Sequence, residues 1–294
     1  VFVLQDLYFA NELNEMRYQT PSIFPKSSAE NVLLAINQGN KPFNLLASKY
    51  LVDLHFNGDS QCFPLYRFNE NGDRIDNITD WGLEQFRTHY KDKKITKEDI
   101  FHYVYAVLHN PAYRKKYELN LKREFPRIPF YANFKQWAKW GKKLMELHIG
   151  YETVKPYPLK VNEFKTKAEA KKQVKELKEV KEPVEDYSIK PKIKVKLKAD
   201  RVNGLIEIDE KTNVTGIPKE AWEYRLGNRS ALEWILDQYK EKKPSDPTIA
   251  EKFNTYRFAD YKEQVIDLLK RVCTVSVETM KIIGEMEEME TTKQ

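Results

Sequence analysis

The chain has 294 residues and a small excess of positive charge, with 50 lysine and arginine residues against 44 aspartate and glutamate residues and a formal net charge of +6. Charged residues make up 32% of the chain and aromatic residues 13%. So many aromatic side chains exclude a wholly disordered chain, and the sequence has neither the glycine repeat of collagen nor the heptads of a long coiled coil. At about 150 residues per domain, the length predicts about two domains.

The sequence carries no signal for a membrane or for secretion. No apolar run reaches the roughly 18 residues of a membrane-spanning helix, and no basic segment followed by an apolar one opens the chain. We therefore expect a cytoplasmic protein with no membrane partner. Cys62 and Cys273 lie too far apart for a CxxC motif, so two free thiols are expected. The chain begins at Val1 in the middle of a pattern, and we expect it to be part of a longer polypeptide.

Residues 1–78 are predicted to be rich in β-strands. Short apolar runs, such as residues 32–36 and 51–56, are separated by turn residues that include Asn-Gly pairs at 57–58 and 71–72. Asn-Gly pairs favour tight hairpin turns, because both residues tolerate a positive φ.

Residues 79–155 are predicted to be helical. Thr96 begins a capping-box pattern, and apolar residues follow it at helical spacing. Asn110 and Pro111 end this helix and begin another, since asparagine is a good N-cap and proline is tolerated in a first turn. A further amphipathic helix is predicted over residues 133–147.

The same part of the chain concentrates positive charge. Residues 111–145 contain ten lysine and arginine residues against only Glu118 and Glu124, so their local charge is +8. Such a concentration suits a phosphate backbone, since each neutralised phosphate releases a counterion. A solvated helical face, on which the lysines keep the protein in solution, explains the pattern equally well.

Residues 156–191 are predicted to be a lysine- and glutamate-rich linker or insertion, and residues 192–294 a β-hairpin followed by helices. Apolar residues alternate with lysines from 192 to 198, which is the period of a strand. Asn203 and Gly204 provide a turn, and a returning strand is predicted at 205–208. The chain as a whole is predicted to have an α+β fold, with a β-rich N-terminal part, a helical middle, and a β-hairpin followed by C-terminal helices.

The C-terminal helices have several sequence signals. Gly227 is predicted to be the C-cap of a helix that begins near Pro218, and Ser230 begins a second capping box. Another helix is predicted to start at 246–247 and a long one over residues 261–283. Residues 272–277 of the long helix have equal propensity for a strand.

No catalytic or metal-ligating residue is predicted. The chain lacks the GxxxxGK[ST], GxGxxG, GxSxG and HExxH motifs and the (D/N)PP(Y/F) motif of amino-methyltransferases. His102 and His109 lie two turns apart on one predicted helix, without a carboxylate at the right spacing to complete a metal site, so we expect surface or packing residues. Glu207 and Asp209 are expected to be exposed charges.

Two segments of the C-terminal part have the chemistry of DNA contact. The lysine strand could follow a duplex backbone, or its lysines could protect an edge strand from aggregation. The turn at 225–229 presents arginine and asparagine, which read guanine and adenine, but it could equally be an ordinary cap with salt bridges. The candidate DNA-binding residues are Lys194, Lys196, Lys198, Arg201, Asn203, Arg225, Asn228 and Arg229.

Five segments in order along the chain resemble one family, the type ISP restriction–modification enzymes. The segments are QCFPLY at 61–66, ITKEDIFHYVYAVLHNPA at 95–112, FPRIP at 125–129, GKKLMELH at 141–148 and GIPKEAWEYRLGN at 216–228. Members of that family are long single polypeptides that combine a nuclease, a helicase-like ATP motor, an adenine methyltransferase and a C-terminal target-recognition region. This chain resembles the last region alone, whereas its lysine- and glutamate-rich segment departs from the family pattern.

The resemblance implies a module that recognises a sequence in double-stranded DNA and has no catalytic centre of its own. It implies that the methyltransferase and helicase domains lie upstream in the same polypeptide and use S-adenosylmethionine, ATP and Mg²⁺ there, with no cofactor in this chain. A different function also fits the sequence: a structural module that docks other domains of its own polypeptide without reading DNA.

Overall fold

A computed structural model describes residues 12–37, 39, 42–53, 56, 60–165, 168–169, 194–242, 246 and 256–291. The chain divides into two compact units, one made of residues 152–280 and the other of residues 2–151 with 281–294. Most of the predicted lysine- and glutamate-rich segment lies outside the described residues, as does almost all of the helix predicted to start at 246–247.

The unit made of residues 2–151 and 281–294 begins with short strands, as predicted. After the single-turn helix α1 (Thr20–Ile23), three strands form an antiparallel sheet in the order β2-β1-β3: β1 (Leu33–Ile36), β2 (Leu45–Ser48) and β3 (Gln61–Pro64). Strand β1 is central and buried at all four of its residues. A separate ribbon pairs β4 (Tyr66–Phe68) with β5 (Arg74–Asp76).

Five helices follow in this unit: α2 (Asp80–Tyr90), α3 (Lys97–His109), α4 (Pro111–Lys116), α5 (Glu118–Leu121) and α6 (Phe134–Ile149). The capping box at Thr96 is confirmed, since its hydroxyl accepts the Asp99 N–H at 3.1 Å and Asp99 accepts the Thr96 N–H at 3.0 Å. Asn110 caps α4 through its side-chain oxygen, which accepts the Ala112 N–H at 2.8 Å. Local capping chemistry therefore sets where these helices start.

Helices α3 and α6 pack closely through a glycine. A Cβ atom added to Gly141 would lie 1.7 Å from the backbone oxygen of His102, so only glycine allows the two helices this approach. The interface is aromatic: Tyr103 stacks on Phe134 at 5.1 Å and meets the edge of Trp137 at 6.4 Å. The core of this unit is therefore a set of interlocked rings around one close backbone contact.

The two histidines of α3 are packing residues. His109 is buried and its Nδ1 lies 2.8 Å from the Tyr105 carbonyl oxygen, while His102 is half-buried. Across the described part of the chain, no group of three or more histidine, cysteine, aspartate or glutamate side chains is placed to hold a metal ion.

The unit made of residues 152–280 contains a four-stranded antiparallel sheet with the strand order β6-β9-β8-β7. Its strands are β6 (Lys160–Glu163), β7 (Val195–Asp200), β8 (Leu205–Asp209) and β9 (Thr212–Thr215). The predicted hairpin is the β7–β8 half of this sheet. Strands β6 and β9 were not predicted, because four-residue segments with polar side chains carry little strand signal.

Short helices and a long one complete the chain: α7 (Lys219–Glu223), the two-residue strands β10 (Arg225–Leu226) and β11 (Arg229–Ser230), α8 (Ala231–Gln238), a 3₁₀ turn (Phe258–Tyr261) and α9 (Lys262–Thr291). Residues 272–277, which have strand propensity, are helical within α9. Val275 and Ser276 are buried there, and burial outweighs the weak preference of β-branched residues for strands. The predicted α+β fold is confirmed, and no helix in the described ranges is long and apolar enough to span a membrane.

The contact at Gly141 leads to a stability prediction. Gly141→Ala should destabilise the chain by about 1–3 kcal/mol, because the new methyl group overlaps the His102 carbonyl and must push α3 and α6 apart. Gly284→Ala is the matched control, since a Cβ there meets nothing within 4 Å and alanine is the better helix former by up to about 1 kcal/mol. Thermal unfolding followed by circular dichroism compares them; an unchanged melting temperature for Gly141→Ala contradicts the close packing.

Candidate nucleic-acid interface

The eight candidate residues all lie in the unit made of residues 152–280, on three adjacent segments of chain. Three lysines lie on or next to β7, Arg201 and Asn203 lie in the turn between β7 and β8, and the other three lie on the β10–β11 ribbon or its turn.

Strand β7 contains a bulge that interrupts the predicted alternation. Val195 lies opposite Asp209 and Lys198 lies opposite Glu207, so three residue steps on β7 face two steps on β8. Leu197, within the bulge, has a φ of +42° and is only 2% exposed. A positive φ is costly for leucine, and burial of its side chain in the sheet's apolar side offsets that cost. The prediction of a regular strand is therefore wrong at this point.

The bulge leaves all three lysines of β7 at the surface. Lys194, Lys196 and Lys198 are exposed, on either side of the buried Leu197. The Lys196 ammonium forms an ion pair with Glu207, which is also the residue opposite Lys198. One of the three ammonium groups is therefore neutralised, and the segment keeps a net positive charge.

The turn between β7 and β8 is rigid. Its glycine, Gly204, has a φ of +59°, its carbonyl oxygen accepts the Ile217 N–H at 3.1 Å, and an added Cβ would lie 2.5 Å from the Ile217 oxygen. Asn203 donates its backbone N–H and its side-chain amide to the two oxygens of Asp200, at 3.2 and 3.0 Å. The side-chain amide of Asn203 is thus partly occupied within the protein.

Arg201 is held by a two-pronged ion pair with Glu233. Its Nε and Nη2 atoms donate to Oε1 at 2.9 and 2.6 Å, and Nη2 also lies 2.5 Å from Oε2. The arginine side chain remains 44% exposed, and its Nη1 makes no hydrogen bond within the described ranges. Arg201 can therefore offer one outward edge to a ligand while the other edge is fixed.

The segment from Arg225 to Ser230 is a β-ribbon, and the prediction that Gly227 caps a helix is wrong. Leu226 pairs with Arg229, so the turn consists of Gly227 and Asn228 alone, with Gly227 at a φ of +69°. A Gly-Asn pair between two strands is a known signal for a two-residue hairpin turn, and that signal was present in the sequence. The segments on both sides have helical patterns, and these favoured a helix C-cap at Gly227 over a hairpin turn.

The three candidates on this ribbon differ in how far the protein engages them. Arg225 is exposed and its Nη2 donates to the Asn228 carbonyl oxygen, while the side chain of exposed Asn228 makes no hydrogen bond in the part of the chain that is described. Arg229 forms an ion pair with Asp237 at 2.9 Å and lies 5.2 Å above the ring of Trp234. Arg225 and Asn228 are thus the more available pair.

A single carboxylate connects the turn to the ribbon. Glu233 closes the capping box of α8, accepting the Ser230 N–H at 3.0 Å and the Ser230 hydroxyl at 2.9 Å, which confirms that predicted cap. The same carboxylate binds Arg201. The structure therefore brings the β7–β8 turn and the β10–β11 ribbon into one cluster, although 32 residues separate Arg201 from Glu233.

A buried ion pair joins strand β8 to helix α9, so the expectation of an exposed Asp209 is wrong. Asp209 is 6% exposed, and its carboxylate lies 3.0 Å from the ammonium of Lys262 in the first turn of α9. Lys262 also donates to the Thr212 hydroxyl at 2.5 Å. This ion pair could not be predicted from the sequence, because Asp209 and Lys262 are far apart in the chain.

The basic segment at 111–145 belongs to the other unit, and part of its charge is neutralised there. Ion pairs of this segment in the described ranges include Lys122 with Glu118, Arg127 with Glu124, and Lys135 with Asp92. Its exposed basic residues also include Lys115, Lys116, Arg123, Lys139, Lys142 and Lys143. The exposed lysines of α6 lie opposite its buried aromatic face, which is the arrangement of an ordinary solvated helix.

The family model described as "Type ISP C-terminal specificity domain" matches residues 1–268. No curated protein matches the chain. Three solved structures are similar over 95% of the chain: a DrdV–DNA complex (52% identity, TM-score 0.80), a nuclease-deletion mutant of the type ISP enzyme LlaGI with a DNA substrate mimic (30%, 0.66), and the ATP-dependent type ISP enzyme LlaBIII bound to DNA (25%, 0.70). The chain spans 27%, 23% and 18% of those chains, respectively.

The buried ion pair between β8 and α9 leads to a second stability prediction. Lys262→Met should destabilise the chain by about 2–4 kcal/mol, because the change leaves the Asp209 carboxylate buried without its cation. Lys219→Met is the matched control, since Lys219 is 86% exposed and its ion pair with Glu223 is 3.7 Å long. Urea unfolding measures both, and an effect at Lys262 within about 0.5 kcal/mol of the control contradicts a structural role for this pair.

Proposed function

The chain belongs to the family of type ISP C-terminal specificity domains, and from that membership we propose that it recognises the DNA target sequence of a type ISP restriction–modification polypeptide. The observation that carries this proposal is the family match over residues 1–268, joined to 52% identity with a protein solved in complex with DNA. The two further similar structures, at 30% and 25% identity, also contain DNA or a DNA substrate mimic.

The rest of the activity belongs to a longer polypeptide in this proposal. The chain spans at most 27% of each similar structure, which leaves room for further domains. We place a nuclease, a helicase-like motor and an adenine methyltransferase upstream, with S-adenosylmethionine, ATP and Mg²⁺ bound in those parts and the whole polypeptide in the cytoplasm. In this proposal the chain recognises the target sequence, and the other parts of the polypeptide carry out the catalysis.

The surface of the unit made of residues 152–280 suits this role. Lys194, Lys196 and Lys198 form an exposed positive strand that fits a phosphate backbone, and such contacts set the register of a protein on the duplex. Arg225 on β10 and Asn228 in the turn of the ribbon are both exposed, and there a guanidinium can read guanine and a side-chain amide can read adenine. Arg201, Asn203 and Arg229 are anchored by acidic partners and complete the set as positioning groups.

Recognition by this chain would also serve the methyltransferase. An enzyme that modifies a base in a duplex must rotate that base out of the stack, and unstacking costs a few kcal/mol. Contacts from a rigid recognition surface to the flanking phosphates and bases hold the duplex in place while that happens. The anchored turn and ribbon described above provide such a surface.

The lysines of β7 allow a direct test on a duplex of mixed sequence. Lys194→Gln with Lys198→Gln leaves the Lys196–Glu207 ion pair in place and removes two exposed charges. The affinity should fall, and the slope of log K against log[salt] should shrink by about 1–2, since each phosphate contact contributes about 0.9. Fluorescence anisotropy at several salt concentrations measures both quantities.

A control of equal charge separates position from net charge. Lys93→Gln with Lys94→Gln also removes two exposed lysines, in the other unit of the chain. We expect this variant to keep the slope of the unmodified chain. An equal change of slope in both variants, or none in either, would contradict a phosphate contact along β7.

A further inference from the structure

The β7–β8 turn presents one apolar side chain to solvent. Val202 is 94% exposed, the highest value among the large apolar residues in the described part of the chain. Single exposed apolar residues are common on protein surfaces and need no explanation by themselves. The surroundings of Val202 are what make it informative.

The turn around Val202 is fixed on every side. Arg201 before it is held by Glu233, Asn203 after it is held by Asp200, and Gly204 lies against the backbone of Ile217. The strands on either side are anchored by buried leucine and isoleucine side chains: Leu197, Leu205, Ile206 and Ile208. Val202 is therefore held outward by a rigid hairpin, so that its burial in a complex needs little further ordering of the chain.

The neighbours of Val202 have less free hydrogen-bonding capacity than the sequence suggests. Arg201 uses Nε and Nη2 on Glu233, and Asn203 uses its side-chain amide on Asp200. Arg201 keeps one outward guanidinium edge and Asn203 keeps its second amide hydrogen, so both can still contribute to a polar contact. Val202, between them at the tip of the hairpin, adds an apolar surface that neither neighbour provides.

The apolar group that a base edge presents in the major groove is the C5 methyl of thymine, and a two-stranded ribbon fits in that groove. The alternative, a wedge between base steps in the minor groove, generally uses longer side chains such as Phe, Leu, Ile or Met. Valine is short and stiff at χ1, which suits contact with a methyl group better than insertion between bases. The lysines of β7 on the same hairpin match the phosphates that border the groove.

We propose that Val202 is a specificity-determining residue that reads one thymine of the target by contact with its C5 methyl group in the major groove. This inference rests on the proposed function, since it concerns the same DNA interface. It assigns the central role in the turn to the residue between Arg201 and Asn203, with those two side chains as its supports.

The test compares thymine with deoxyuridine, which differs only by the methyl group. Duplexes bound by the 294-residue chain are first selected from a random pool, and each thymine of the enriched motif is then replaced singly by deoxyuridine. For the unmodified chain, one replacement should weaken binding about fourfold, the equivalent of one buried methylene. In Val202→Ser, the same replacement should change binding by less than a factor of 1.5.

The control variant removes an exposed apolar side chain from the other unit of the chain. In this variant, Leu119→Ser, the lost side chain is 71% exposed, and the fourfold effect should remain. If a motif is enriched but no thymine position depends on Val202, the inference is overturned and the proposed function stands. If the random pool yields no motif at all, the proposed function fails, and the inference fails with it.

Discussion

The candidate interface depends on the carboxylate of Glu233. Its Oε2 atom accepts the N–H and the hydroxyl of Ser230, which completes the capping box of α8, and both of its oxygens accept from the guanidinium of Arg201. A capping box is a local device, worth on the order of 1 kcal/mol, that ordinarily concerns only the first turn of a helix. Here it also fixes the turn between β7 and β8 relative to the β10–β11 ribbon. Two loops that could otherwise move independently become one surface.

The second constraint is the bulge in β7. A regular strand would place Leu197 by simple alternation, whereas the observed strand inserts a residue and accepts a positive φ at leucine so that its side chain remains buried. Bulges often re-aim side chains next to functional surfaces. In this chain the bulge places Lys196 against Glu207 while Lys194 and Lys198 stay exposed.

Sequence reasoning succeeded where the determinant is local. Thr96, Asn110 and Ser230 each cap a helix through a side chain within three residues, and each cap was readable from the sequence. The prediction is wrong at Gly227, where a two-residue hairpin signal stands next to a helical pattern that favours a C-cap. Short elements of this kind depend on what packs around them, and periodicity does not contain that information.

The candidate site was predictable as a set of residue types but not as an arrangement. Composition and turn signals predicted the candidate residues of the turn and the ribbon. The sequence did not indicate that Arg201 would bind Glu233, or that the side chain of Asn203 would bind Asp200. Glu233 is distant from Arg201 in the sequence, so their ion pair could not be predicted. Asp200 is close to Asn203, but the sequence does not show whether the Asn203 amide binds this carboxylate or faces solvent. The role of Val202 could not be inferred for a related reason, because its significance comes from the engagement of its neighbours and from its 94% exposure.

The proposed function assigns the choice of DNA sequence to this chain, on the basis of its family membership. The most direct measurement replaces the corresponding segment of LlaGI with this chain and maps methylated bases across the genome of cells that express the hybrid. The chain is similar to that enzyme over 95% of its own length, with a TM-score of 0.66. We predict that methylation moves to a new motif and leaves the original LlaGI motif unmodified. Methylation that persists at the original motif would contradict the assignment of target recognition to this chain.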